Sequence, residues 1–348
     1  MKTRNTAIAF AVLAALCYGI SAPISKLLLT SLPPTFMAAL LYLGAGLGML
    51  AVGRLRPGTE QKKEAPITKK ELPYVIAMVL LDIAAPILLL LGLSLTTPAT
   101  AALLNNFEIV ATTVIALVVF KEAVGPRMWA AIALITLASI LLSVENPAGL
   151  SFSPGALLVL LACVCWGVEN NCTRVLSAKN PLEIVVVKGF GSGLGSLAIA
   201  LALGQYALRP GPIALALLVG FVAYGLSIYF YILAQRQLGA ARTSAYYAFA
   251  PFIGAGLSFA IFRQLPTVLY LAAFGVMVAG AYLAATERHA HRHLHPALAH
   301  EHRHNHSDGH HTHTHVPPVE GEHSHPHTHG EMAHRHPHTP DLHHTHSH

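Results

Sequence analysis

Ten apolar runs, separated by short turns rich in Pro, Gly or charge, occupy residues 6 to 286 and leave little room for any other architecture. They cover about 6 to 29, 34 to 53, 72 to 94, 98 to 120, 126 to 144, 154 to 177, 182 to 204, 212 to 234, 240 to 262 and 266 to 286. A helix that crosses a bilayer core needs about 20 apolar residues, and in lipid every backbone polar group must be satisfied inside the segment. The pattern predicts an all-α integral membrane protein with ten transmembrane helices. Charge agrees: Asp, Glu, Lys and Arg make up 11% of the chain, against about 25% in a soluble domain.

The first run follows Lys2 and Arg4, and Ser21-Ala22-Pro23 resembles a weak processing site. Its length, and the recurrence of its sequence further on, favour a retained span. Cys17, Cys163, Cys165 and Cys172 all fall inside spans, which argues against a disulfide framework. Basic residues in short loops set orientation. With the N-terminus inside, one face collects Lys2, Arg4, Arg54, Arg56, Lys62, Lys63, Lys69, Lys70, Lys121, Arg127, Arg174, Lys179, Arg236 and Arg242, and the other only Lys26, Arg209 and Arg263. Both termini are therefore expected in the cytoplasm, in the cytoplasmic (inner) membrane. The net positive charge is a topology signal and not a nucleic-acid footprint.

The chain repeats itself. Cys17-Tyr18-Gly19-Ile20 leading to Lys26 recurs as Cys165-Trp166-Gly167-Val168 leading to Arg174, and Thr100 to Glu122 matches Arg242 to Gln264. The spans pair in two sets of five. Five is odd, so the second copy enters the membrane from the opposite side, giving an inverted-topology repeat of the kind on which secondary transporters are built. The expected units are a first five-helix repeat over residues 1–146, a second over 147–287 and a tail over 288–348.

The duplicated Tyr18-Gly19 and Trp166-Gly167, the Thr96 to Leu104 approach to the fourth span, and Phe120-Lys121-Glu122 before the Gly125 to Ser143 helix resemble the drug/metabolite transporter superfamily, in particular its EamA type. The resemblance covers about residues 5 to 286 and departs from the family pattern at Gln264, where an acidic residue is usual. It implies two five-helix repeats and proton-coupled or facilitated movement of small metabolites, often outward.

Ionisable groups at membrane depth are costly and face a cavity or a partner. Asp82, Glu108, Glu169 and Lys188 qualify, with Lys26 nearer one face. Helical spacing puts Asn105, Glu108 and Thr112 on one stripe of the fourth span, expected to face a central cavity, and Cys165, Glu169, Cys172 and Thr173 on one stripe of the sixth, with Asn170 and Asn171 beside it. Glu108 or Glu169 is a candidate protonatable coupling site, because a low-dielectric surrounding disfavours the charged carboxylate. The alternative is structural: an ion pair with Lys188, or a carboxyl hydrogen-bonded between helices. Asn105, Asn106, Asn170 and Asn171 suit interhelical bonding or substrate contact alike. Tyr224, Tyr229, Tyr231, Tyr246 and Tyr247 are candidate pocket residues of the second half, Tyr246 and Tyr247 foremost, with packing or interfacial anchoring as the alternative. Gly44, Gly46 and Gly48, and Gly189, Gly191, Gly193 and Gly195, read as close helix packing.

All 23 histidines lie from His289 onward. The tail has no apolar periodicity with which to bury a core, so it is expected to be disordered. His289, His291, His293 and His295 alternate, as do His300, His302, His304 and His306, then His323, His325, His327 and His329, and His334, His336 and His338; His310, His311, His313 and His315 lie between. Alternation puts imidazoles on one side of an extended strand, and neutral imidazole is a ligand for zinc, nickel, cobalt and copper.

The leading expectation is a secondary transporter, working as an exporter of a small metabolite, with a cytosolic tail that binds divalent transition metal. Two alternatives stand beside it: a Zn/Ni/Co transporter fed by the tail, with Asp82, Glu108, Glu169, Cys165 and Cys172 as cation ligands, and a membrane-anchored metal store or sensor that does not transport. The spans hold no histidine and no nucleophile paired with a base, so an enzyme is not expected. No cofactor is required, although the tail can bind Zn, Ni, Co or Cu ions. Partners are a small-molecule or ion substrate, the lipid bilayer and a second copy in a homodimer, with no nucleic acid.

Overall fold

The computed structural model describes residues 2–55, 67–120, 124–146, 151–176, 179–238, 243 and 246–286, together with 289–295, 298–304, 323–329 and 332–338 of the tail. Helices follow the apolar runs. Span 1 is Lys2–Gly19 and Ser21–Leu28, span 2 Pro34–Leu55, span 3 Leu72–Leu95, and span 4 Pro98–Leu104 and Phe107–Phe120. Span 5 is Pro126–Ser143, span 6 Pro154–Leu176 and span 7 Pro181–Ala202. Span 8 runs through Pro210–Gly220, a π-helical turn at Phe221–Leu226 and Ser227–Leu238; span 9 contains Ala250–Phe262, and span 10 is Val268–Ala285. Among the described residues nine of these segments are long and apolar enough to cross a membrane, and Ala250–Phe262 is shorter.

The starts of the helices are written in the sequence. Proline opens spans 2, 4, 5, 6, 7 and 8, where its fixed φ suits the first turn and its missing N–H costs nothing. Thr97 Oγ1 accepts from the Thr100 N–H at 3.1 Å, Asn180 Oδ1 from Leu182 at 3.0 Å and Thr267 Oγ1 from Tyr270 at 3.1 Å, each satisfying a free donor. Leu80, Val118, Val119, Leu137, Ile140, Leu194 and Leu201 stand exposed on the outside. Such an apolar exterior suits lipid and not water.

The repeats do not form two separate bundles. The most extensive helix pairings cross between them: span 2 on span 7, span 3 on span 6, span 1 on span 8 and span 5 on span 10. The interior is correspondingly made of small residues. A Cβ on Gly19 would lie 2.8 Å from Ile253 Cγ2, and one on Gly167 2.6 Å from Ala111 Cβ. Ile253 and Ala111 occupy matching positions of the ninth and fourth spans in the sequence repeat. The duplicated Tyr/Trp-Gly motif therefore makes the same close crossing twice.

Two short strands, Val144–Asn146 and Ser151–Phe152, pair antiparallel where the first repeat gives way to the second. In the tail, where sequence alone suggested no order, His289–His295 pairs antiparallel with Met332–His338 and Leu298–His304 with His323–His329. The alternating His spacing supplies extended segments but no aliphatic face on which a core could form.

Candidate functional site

Span 4 is broken at Asn105–Asn106 and span 9 at Ala248–Phe249, within one residue of matching points of the repeat. The Asn pair explains the first break, since its amides compete with the helix ladder. Asn106 Nδ2 donates to Leu103 O at 3.3 Å, and the backbone tightens through Asn106 N to Leu103 O at 3.2 Å and Glu108 N to Asn105 O at 3.1 Å. Transporter sites form at such discontinuous helices, where non-helical backbone lines a cavity. A small cleft of about 10 Å³, room for one water, lies there, bounded by Tyr18, Gly19, Ser21, Ala22, Leu89, Ala102, Asn105, Ala250, Pro251 and Gly254. Both repeats contribute to it, and none of the described residues that line it is charged.

Tyr18 joins the cleft to a cluster of rings. Its ring centroid is 6.1 Å from that of Tyr224 and 5.8 Å from that of Tyr247. Tyr42 lies 5.4 Å from Tyr224, and Tyr231 5.0 Å from Tyr247. Ser21 Oγ donates to the Tyr224 hydroxyl at 3.3 Å. Tyr224 sits in the π-helical turn of span 8, and such turns occur often at functional sites.

The stripe expected on span 4 crosses the break. Asn105 lines the cleft and its Oδ1 accepts from Cys163 Sγ of span 6 at 4.0 Å, and Glu108 and Thr112 also face span 6, where Asn170 Nδ2 donates to Glu108 Oε1 at 2.6 Å and to Thr112 Oγ1 at 3.2 Å. Asn171 Nδ2 donates to Thr112 O at 3.1 Å and Gly167 O at 2.8 Å. Asn170 and Asn171 are thus interhelical bonds between the repeats, and Glu108 is held by a neutral donor.

A second cluster is ionic. Lys188 Nζ lies 3.1 Å from Asp82 Oδ2 and 3.0 Å from Glu169 Oε1. Tyr42 Oη donates to Asp82 Oδ1 at 2.9 Å, and Thr173 Oγ1 donates to Glu169 Oε1. Asp82 is fully buried, Glu169 2% exposed and Lys188 7% exposed. Asp82 and Tyr42 belong to the first repeat, Glu169 and Lys188 to the second.

Other expectations resolve differently. Tyr247 joins the ring cluster, but Tyr246 packs against Ala7, Ala11 and Ala234 away from it. Lys26 Nζ donates to Leu93 O at 2.6 Å and Thr96 O at 2.8 Å, so it caps the end of span 3. Among the described residues no three His, Cys, Asp or Glu side chains assemble around a metal-sized space. His306, His310, His311, His313 and His315 lie outside the described residues. Sequence reasoning missed Tyr18, Ser21 and Tyr42, while Tyr224 and Tyr231, candidates of the second half, do join the ring cluster. The duplicated Tyr18-Gly19 motif marked the first pair, but nothing in the local spacing marked Tyr42.

Ten apolar helical segments in two interleaved repeats, with paired helix breaks around a cleft, define a membrane transporter. The chain belongs to the EamA-like transporter family, which it matches over residues 5–144 and again over 153–286. It is 27% identical over 294 residues to an uncharacterized transporter of Methanothermobacter thermautotrophicus (strain Delta H), covering 78% of this chain and 83% of the relative. It is 22% identical over 240 residues to the uncharacterized transporter YyaM of Bacillus subtilis (strain 168), covering 65% of this chain and 78% of the relative. One solved crystal structure shares the fold at a TM-score of 0.58 and 18% identity, over 80% of this chain and 95% of its own.

Proposed function

We propose that this transporter exports a small organic metabolite across the cytoplasmic membrane, that the cleft at the paired helix breaks receives the substrate, and that Glu108 couples transport to protons. The observation that carries this is the placement of the breaks. They bring Tyr18 and Asn105 of one repeat against Ala250, Pro251 and Gly254 of the other, so a movement of one repeat against the other must reshape the cleft. Glu108, one turn past the break, binds only a neutral amide donor among the described contacts. Loading and unloading a proton there changes the charge beside the path without breaking an ion pair.

The tail belongs to the same reading as a metal-binding appendage on the cytoplasmic side, because its histidines alternate over four extended segments. Metal as cargo has less support, since the described spans offer no cluster of ligands.

The test is a comparison of deletion cells complemented with the full chain, with residues 1–288 or with Glu108→Gln, measuring excreted metabolites and cellular zinc, nickel, cobalt and copper. Export of one organic compound that Glu108→Gln abolishes and tail removal spares supports the reading. A change in one metal that depends on Glu108 would replace it with metal transport, and no Glu108-dependent flux of any kind would leave a metal store or sensor.

A further inference from the structure

The Asp82–Lys188–Glu169 cluster carries two carboxylates against one ammonium, all at least nine-tenths buried. With every group ionised it holds one uncompensated negative charge in a surrounding where such a charge is strongly disfavoured. Asp82 Oδ2 meets the Lys188 ammonium at 3.1 Å, and no other donor reaches it among the described residues. The groups around the cluster supply no second cation among the described side chains. Span 2 presents the Tyr42 hydroxyl, span 6 presents Thr173 and Cys172, span 8 presents Tyr224 and span 4 presents Glu108, which is itself acidic.

We infer that this cluster is an ion-binding site, separate from the cleft and from Glu108, that takes up one positive charge as a proton or a sodium ion between the Asp82 and Glu169 carboxylates. The donor set fits either source. It consists of hard oxygens, two carboxylates with the Tyr42 and Thr173 hydroxyls, which suit a proton or an alkali cation and not a soft metal. The site bridges the repeats, because Asp82 comes from span 3 and its two partners from spans 6 and 7. Its occupancy therefore bears on how firmly the halves are held together.

Charge parity makes the inference testable without knowing the transported substrate. Asp82→Asn or Glu169→Gln each leaves one carboxylate facing one ammonium, a neutral pair that needs no added ion. The experiment is thermal unfolding of the purified full-length protein in lipid nanodiscs from pH 6 to 9, in sodium chloride or choline chloride, for the wild type, Asp82→Asn, Glu169→Gln and Glu108→Gln. A bound ion stabilises the folded state by mass action. The wild type is expected to lose several degrees of Tm as pH rises in choline chloride, since a proton held by the folded protein is then withdrawn. If sodium can supply the charge, sodium chloride restores the loss at pH 9; if only a proton fits, it does not. Both neutral-pair variants are expected to flatten the profile, and Glu108→Gln to retain it. Two outcomes overturn the inference: a wild-type Tm indifferent to both pH and sodium, or a wild-type profile that persists in Asp82→Asn and Glu169→Gln. Should one variant fail to fold, the other still decides. None of these outcomes bears on Glu108 as the coupling residue, which is read by flux.

Discussion

Asn170 donates its side-chain amide to Glu108 at 2.6 Å, tying span 6 of the second repeat to the lower half of the broken span 4 of the first. A carboxylate gains from this bond, and a protonated carboxyl gains less unless it turns over. The pair therefore ties the protonation of Glu108 to a contact between the repeats. Asn170→Ala is expected to lower stability by about 0.6–2 kcal/mol, the range for hydrogen bonds between membrane helices, and to shift the pH dependence of flux more than its maximum. Tm by differential scanning fluorimetry, together with flux measured at several pH values, checks this. A flux profile unchanged in Asn170→Ala would separate the bond from coupling.

The close crossing at Gly19 gives a prediction that symmetry doubles. A Cβ there meets Ile253 Cγ2 at 2.8 Å and Ala250 O at 3.0 Å, and a Cβ at Gly167 meets Ala111 Cβ at 2.6 Å. Neither site has room for even a methyl group without movement. Gly19→Ala and Gly167→Ala are each expected to cost about 1–3 kcal/mol, as overpacking of a close-packed interior does. Ile253→Ala should recover part of the loss in Gly19→Ala, because the tightest contact is a side chain. It should not help Gly167→Ala. A double-mutant cycle on Tm reads the coupling, and additive effects at Gly19 and Ile253 would sink the argument.

Tyr42→Phe isolates one hydroxyl of the buried ionic cluster. The Tyr42 Oη bond to Asp82 Oδ1 is 2.9 Å long, and removing the donor leaves a buried carboxylate oxygen with no hydrogen-bond partner. The expected cost is about 1–3 kcal/mol. Adding Asp82→Asn should bring the cost of losing the hydroxyl down, since an amide oxygen needs that donor less than a carboxylate does. Equal costs in the two backgrounds, read from urea or heat denaturation, would place the role of Tyr42 in packing against Tyr224.

Spans, repeats and membrane residence were legible because the physics of lipid is coarse: a run of apolar residues of sufficient length has few alternatives, and the paired Tyr18-Gly19 and Trp166-Gly167 betray a duplication. An ion pair of Lys188 with Glu108 or Glu169 was legible as an alternative, since a lysine and a carboxylate at membrane depth have to meet or be neutralised; the partner is Glu169. That Lys188 also meets Asp82 was not, because the choice between one partner and two depends on how spans 3, 6 and 7 pack. The same limit hid Tyr42, a lone tyrosine on an apolar helix, and misplaced Tyr246, one residue from Tyr247 but directed toward Ala7 and Ala11. Helical periodicity also joined Asn105 to Glu108 across a point where the helix stops. The two adjacent asparagines were the available sign of that break.

The tail predicts a clean separation of functions. Its histidines begin four residues past the end of span 10, beyond the segments that pack between the repeats. Residues 1–288 are expected to fold, to keep the Tm of the full chain within about 1 °C without metal, and to keep its flux. They should lose nearly all zinc or nickel binding by isothermal titration. In the full chain, adding a chelator should release metal without changing Tm, because imidazole ligands on extended segments stabilise only the segments they join. A fall in the Tm of the spans on chelation would mean that metal reaches the membrane part, and would return metal to the list of cargo.

Lys26 offers the sharpest contrast between a charged residue that holds the fold and one that works. Its ammonium reaches the carbonyls of Leu93 at 2.6 Å, Ser94 at 3.2 Å and Thr96 at 2.8 Å, where span 3 ends and the helix leaves carbonyl oxygens without N–H partners. A cation at a helix C-terminus also complements the helix dipole, worth about 0.3–1 kcal/mol at an exposed site and up to about 2 where partly buried. Lys26→Met keeps the apolar stem and removes the charge, so it should lower stability by about 1–2 kcal/mol while flux per folded molecule stays unchanged. Lys26→Arg, which restores donors, should recover most of the loss. Were Lys26→Met instead to retain full stability and lose flux, the duplicated basic residue at the end of the Tyr-Gly motif would belong to the transport path and not to the end of span 3.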